Sequence, residues 1–138
     1  MLAPFHFAFF VTDLGTTRAF YRDVLGCTEG RSTDKWVDFD FFGNQISAHA
    51  SSELTPVKNS GTVDSVAVPM PHFGAILPWD RFQAISESIR AARISFVIEP
   101  TTRFTGEPGE QATMFVLDPS GNALEFKSFK HPEHIFTE

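Results

Sequence analysis

One order of candidate elements occurs twice in this chain, in residues 4–50 and again in residues 71–129, and this repeat constrains the fold more than any other feature. The first copy opens with an apolar run from Phe5 to Val11, the second with "PHFGAIL" from His72. Asp13 and Asp80 each stand where a carboxylate caps a helix N-terminus. Behind them, Phe20, Tyr21, Val24 and Leu25 make one apolar face, and Phe82, Ile85, Ile89 and Ala92 make another. Gln83 stands at the reciprocal position of a capping box with Asp80, and Gly26 suits a left-handed helix stop. Three strands follow in each copy: Cys27 to Arg31, "WVDFDFF" and "QISAHA" in the first, "ISFVIE", "ATMFVLD" and "NALEFKSF" in the second. Gly43-Asn44 and Gly121-Asn122 mark equivalent turns. The expectation is an α+β fold, with two βαβββ modules forming a curved mixed-sheet half-barrel and the helices outside. Its concave face is a natural cavity. Residues 51–70 connect the modules, their first part rich in polar residues, Pro and Gly, and residues 130–138 form a tail.

A chain of 138 residues suits one compact domain of two repeats. Net charge is −6, and the basic residues are interspersed with acidic ones, which argues against a nucleic-acid partner, since phosphate binding needs clustered Lys and Arg. The apolar start is short and lacks a basic leader, so it reads as a strand, with no membrane partner and a cytoplasmic location by default. Cys27 is the single cysteine and forms no intrachain disulfide; it reads as an ordinary half-buried thiol.

The repeat puts His6 and His72 at matching points, each near the start of its module's first strand. By strand alternation His6 faces with Ala8 and Phe10, and His72 with Gly74 and Ile76, so a small residue leaves room beside each ring. Glu125 faces with Ala123 and Lys127 in the last strand, where a carboxylate is costly to bury unless it is paired or bound to metal. Two histidines and one carboxylate are a set that holds a divalent metal with positions left open, while an ion pair for Glu125 and a turn role for His72 are the alternatives. Phe5, Phe7 and Phe9 face away from His6, under the helices, and Phe10, Phe39 and Phe41 read as core, with the lining of a cavity for an aromatic ligand as the alternative. Asp38 and Asp40 share a solvent-side face, and His131 and His134 belong to a frayed or docked terminus.

"HFAFFVTDLGTTRAFYRDVLG" resembles the opening strand and helix of the vicinal oxygen chelate superfamily, which contains glyoxalases, bleomycin- and fosfomycin-resistance proteins and extradiol dioxygenases. "FVLDPSGNALEF" is similar to that superfamily's closing hairpin, and the likeness covers nearly all of residues 5–129. The resemblance implies His6, His72 and Glu125 as metal ligands, in an arrangement most like that of extradiol dioxygenases. It implies a metal-dependent enzyme acting on a small substrate with adjacent oxygens. Fe(II) is the favoured ion, with Mn, Zn, Ni and Co as alternatives, and a homodimer is common in the family. Aligned turns put Ser47, a poor ligand, opposite Glu125. His49 lies one alternation further on and suits a proton-moving role near bound substrate. Arg103, in the loop of residues 100–111, suits an anionic substrate group. A glyoxalase-like isomerase or transferase, and a metal-free drug-binding protein, are the competing functions.

Overall fold

The structure is a computed structural model, and it describes residues 2–53, 60–63 and 66–137. Two compact units are present. One comprises Met1–Pro56 with Asp118–Asn122, and the other Val57–Leu117 with Ala123–Glu138.

In the first unit, strand β1 (His6–Val11) leads into helix α1 (Leu14–Arg18), which continues as a π-helical segment over Ala19–Val24. Asp13 caps this helix as its sequence position implies, its carboxylate accepting the Thr16 backbone N–H at 2.7 Å. Gly26 ends the helical run at a φ of 78°, a conformation that favours glycine. Strands β2 (Thr28–Ser32), β3 (Trp36–Phe41) and β4 (Asn44–Ala50) follow, and the sheet order is β1-β4-β3-β2. β1 runs parallel to β4, and the other pairings are antiparallel. Phe41 pairs with Asn44, so the two-residue turn is Phe42-Gly43, one position earlier than the expected Gly43-Asn44. Both turn residues have positive φ, the geometry that matches the twist of a hairpin.

Alternation sends Val37, Phe39, Phe41, Ile46 and Ala48 into the core, where Phe20 and Tyr21 of the helical segment are also buried. The Tyr21 ring lies 5.4 Å from that of Phe39 and 5.8 Å from that of Phe9. Phe5 departs from the expectation. It precedes β1 and is 60% exposed, so only Phe7 and Phe9 turn toward the helix side, and Phe10, on the opposite face of β1, is 58% exposed rather than in the core.

In the second unit, β5 (Ser60–Val63) and β6 (Val66–Pro69) form an antiparallel hairpin within the expected connection over 51–70. Residues 54–59 and 64–65 of that connection lie outside the described residues. Then come β7 (His72–Ile76), α2 (Trp79–Ala91), β8 (Phe96–Arg103), β9 (Gln111–Leu117) and β10 (Ala123–Phe129). The sheet order β7-β10-β9-β8, with β7 parallel to β10, repeats the first unit's topology strand for strand. Two four-stranded mixed sheets, each built from a βαβββ unit, confirm the expected fold class.

Helix α2 corrects two details. Pro78, with extended backbone, is its N-cap, and Asp80 sits inside the first turn. There the carboxylate favours the positive end of the helix dipole without acting as a cap. Phe82, Ile85 and Ile89 are buried as expected, whereas Ala92 is the exposed C-cap and Ser86 takes the buried position. After β10 the short 3₁₀ turn Pro132–His134 docks, with His134 Nδ1 donating to the Pro108 carbonyl at 2.6 Å. Among the described residues no helix is long and apolar enough to cross a membrane.

Candidate metal centre

Strand register places the candidate residues. In the second unit Gly74 pairs with Glu125, and in the first Ala8 pairs with Ser47, so Ser47 and Glu125 are equivalent as the aligned turns imply. One alternation on, Lys127 is the counterpart of His49.

His72 and Glu125 share one face of their sheet. His72 Nε2 lies 3.8 Å from Glu125 Oε1. The pair lines a recess of about 210 Å³ together with Gly74, Ile76 and Lys127. Glu125 is 9% exposed. Its Oε2 accepts the Thr113 hydroxyl at 2.6 Å, and its Oε1 is 3.6 Å from the Lys127 ammonium. These contacts satisfy a carboxylate that would be costly to bury alone. The His72 ring stands edge-on to Phe115, centroids 4.9 Å apart, and its Nδ1 is 3.2 Å from the Pro69 carbonyl. A carbonyl only accepts, so Nδ1 carries a proton, and in the neutral ring Nε2 keeps its lone pair. That is the tautomer a metal ligand needs.

Two ligands of one divalent ion, each roughly 2.1 Å from it, stand about 3–4 Å apart. The 3.8 Å between His72 Nε2 and Glu125 Oε1 fits that span. Among the described residues no three His, Cys, Asp or Glu side chains gather into one group that could hold a metal ion, and the second unit brings together two of the candidate residues, His72 and Glu125.

His6 lies in the first unit, exposed on the helix-free face of its sheet. Its Nδ1 is 2.8 Å from Gln45 Oε1, the side chain of its register partner. Gln45 Nε2 donates to Asp38 Oδ2 at 3.3 Å, and Ser47 donates its hydroxyl to Asp38 Oδ1. Asp38 is therefore no bystander of a solvent-side stripe: it faces with His6 and is hydrogen-bonded twice. A larger recess, about 640 Å³, is bordered by Trp36, Asp38, Asp40 and Gln45. It belongs to the first unit and does not contain the His72–Glu125 pair, so cavity size alone does not locate the chemistry.

His49, half-buried, stands two residues past Ser47 on the same strand face, its ring 6.3 Å from that of Trp36. Arg103 ends β8 opposite Gln111, which pairs in turn with Phe129. That row lies four residues beyond Glu125, roughly 13 Å along the strand. The Arg103 guanidinium sits 4.9 Å from the centroid of the Phe104 ring. His131 and His134 belong to the docked terminus, their rings 5.6 Å apart.

The family-like hairpin does structural work besides carrying Glu125. Asp118 accepts the backbone N–H groups of Ser120 and Asn122, the Asn122 side-chain amide and, at 2.8 Å, the Tyr21 hydroxyl. Burial pushes the Asp118 carboxyl above its ordinary range, against the opposing pull of these hydrogen bonds. Burial, with the Asp118 charge beside it, also holds the Tyr21 phenol well above its usual value.

Sequence reasoning missed Thr113, Gln45, the supporting role of Asp38, and the Tyr21–Asp118 bond. Gln45 and Asp38 were accessible in part, since hairpin register and alternation place both on the face of His6. The bond from Tyr21 to Asp118 spans most of the chain and leaves no local signal.

Comparison with known proteins agrees with this architecture. A family model described as Glyoxalase/Bleomycin resistance protein/Dioxygenase superfamily matches residues 4–126. A glyoxalase/bleomycin resistance protein/dioxygenase from Alicyclobacillus acidocaldarius is similar at 28% identity, covering 97% of this chain and 96% of that one with a TM-score of 0.79. A virulence protein from Salmonella typhimurium is similar at 26% identity, with coverage of 94% and 98% and a TM-score of 0.64. The fosfomycin resistance protein FosX from Listeria monocytogenes shares the fold at 18% identity, with 93% of each chain covered and a TM-score of 0.70. No curated protein matches the sequence. With the matched model spanning both repeats, the chain belongs to the glyoxalase/bleomycin resistance/dioxygenase superfamily, the vicinal oxygen chelate proteins.

Proposed function

We propose that this protein is a metal-dependent enzyme acting on a small molecule with two adjacent oxygens, of the extradiol-dioxygenase type and using Fe(II). The observation that carries the reading is the His72–Glu125 pair: an imidazole with its Nε2 lone pair available, 3.8 Å from a nearly buried carboxylate oxygen, in one recess. His6 is the third ligand in this reading. A bound divalent ion supplies Lewis acidity and open positions for the substrate's two oxygens.

Ser47 favours the dioxygenase form over an isomerase or transferase. It stands at the repeat position of Glu125, and its hydroxyl is committed to Asp38, so the first unit offers no fourth ligand there. Three protein donors leave more positions open than four. His49, roughly 7 Å along the strand from Ser47, takes the part of moving a proton on or off the substrate. Arg103 orients an anionic group through charge-assisted hydrogen bonds.

The test is metal uptake followed by oxygen consumption with catecholic substrates. His72→Ala and Glu125→Gln lose the metal. His49→Gln retains it and slows turnover by about 10²- to 10⁴-fold. Full metal occupancy in His72→Ala sinks the reading. A second reading, a metal-free protein that takes up a cationic ligand, draws support from the recess bordered by Trp36, Asp38 and Asp40. It is favoured if the purified protein neither holds nor recovers any metal.

A further inference from the structure

His6 raises a question that His72 does not. The His72 Nδ1 meets a backbone carbonyl, which can only accept. The His6 Nδ1 meets a side-chain amide, and an amide can turn either its oxygen or its nitrogen toward the ring. Turned one way it fixes the proton on Nδ1; turned the other it fixes the proton on Nε2 and removes the lone pair a metal would use.

Asp38 decides which. Its carboxylate accepts only, and Gln45 stands between it and His6, with Nε2 3.3 Å from Asp38 Oδ2 and Oε1 2.8 Å from His6 Nδ1. Facing Asp38, the amide must present its NH₂ group; facing His6, it must therefore present its oxygen. Ser47 donates to the other carboxylate oxygen and holds Asp38 in place. We propose that Gln45, anchored by Asp38 and Ser47, is a positioning residue that locks His6 in the Nδ1–H tautomer and so offers its Nε2 lone pair to the metal. The second half of this proposal rests on the metal reading above; the first half does not.

The lock has a consequence for the repeat. The position that carries the Glu125 ligand in the second unit carries Ser47 in the first. Ser47 acts there at three removes, through Asp38 and Gln45, on the ligand of the same sheet. Unit 1 thus spends its fourth-ligand position on orienting the third.

The experiment is long-range ¹⁵N–¹H correlation of metal-free, histidine-labelled protein at about pH 8.5, where imidazoles are neutral, with His6 assigned from a His6→Gln variant. The expected result is a His6 ring biased about tenfold toward the Nδ1–H form, the effect of one ordinary hydrogen bond. Gln45→Leu removes the bias. Asp38→Asn also removes it, because an amide at position 38 serves either orientation of Gln45. Gln45→Glu combined with Asp38→Asn keeps it, since the amide at position 38 donates to the carboxylate at position 45, which can only accept from Nδ1. A His6 found mainly as the Nε2–H form, or a ratio unchanged in Gln45→Leu, overturns the proposal. Titration of the same samples with Zn²⁺ tests the second half. Gln45→Leu is expected to bind about 10- to 100-fold more weakly than the wild type, with Gln45→Glu combined with Asp38→Asn restoring affinity. A His6 that shows the expected tautomer but does not respond to Zn²⁺ overturns its role as a ligand and leaves the lock intact.

Discussion

Gly74 and Glu125 are register partners across the parallel strands β7 and β10, and the backbone carbonyl of Glu125 occupies the space a methyl group on Gly74 would need. The equivalent pair in the other repeat is Ala8 and Ser47, which accommodates a side chain at the first position. The second unit therefore leaves no room for a side chain at position 74, beside the residue that presents the candidate carboxylate. Gly74→Ala must push β7 away from β10 beside His72. The expected result is a loss of about 1–3 kcal/mol in stability, the usual range for overpacking, together with weakened metal binding. Urea unfolding and metal titration check both, and a variant unchanged in each would show that the close approach has no role.

Lys127 Nζ stands 3.6 Å from the same Glu125 oxygen that faces His72. An ammonium and a divalent ion compete for that oxygen. Lys127→Met is expected to raise metal affinity about two- to fivefold, a small effect because the lysine is a third exposed and solvent screens the pair. Calorimetric titration at low and high salt measures it, with the difference between the proteins shrinking as salt rises.

Tyr21→Phe removes the hydroxyl that donates to buried Asp118 while leaving the aromatic packing in place. A loss of about 1–3 kcal/mol is expected, because a buried hydrogen bond to a carboxylate is removed while Oδ2 keeps only the Asn122 amide. Metal affinity should not change, since neither residue is among the proposed ligands. Denaturant unfolding of the two proteins separates this structural role from a functional one.

Asp13 and Asp118 should give opposite pH dependences. The Thr16 backbone N–H holds the Asp13 carboxyl below its ordinary 3.8, so its contribution is present above that value and is lost as pH falls through the folded-state pKa. Burial raises Asp118, so its contribution is present below its ordinary 3.8 and is lost as pH rises through the folded-state pKa. Asparagine serves both as a cap and as a hydrogen-bonded turn residue, which makes it the right replacement. Between about pH 3 and pH 7 the advantage of wild type over Asp13→Asn should grow, and that over Asp118→Asn should shrink. Urea unfolding at the two pH values reads both slopes.

The duplicated topology was legible because it is written in local signals: apolar alternation, helix caps and hairpin turns, each repeated at matching positions. His72, Gly74 and Glu125 were legible for the same reason, since register follows from the turns. Turn and cap details were less so. Phe42 takes a positive φ that its side chain disfavours, because the register of β3 and β4 leaves only two residues for the turn. Pro78 displaces Asp80 from the cap because its own extended backbone already sets the helix entry. Thr113 and the chain from Asp38 through Gln45 to His6 depend on cross-strand partners, and a one-dimensional pattern does not state which side chains meet.

Anomalous diffraction at the absorption edge of a bound metal locates the ion independently of any activity. Crystals of protein reconstituted with iron or zinc should show one peak within about 2.3 Å of His72 Nε2, Glu125 Oε1 and a His6 Nε2. A metal bound elsewhere, or no peak at His72 and Glu125 in crystals grown with excess metal, would contradict it.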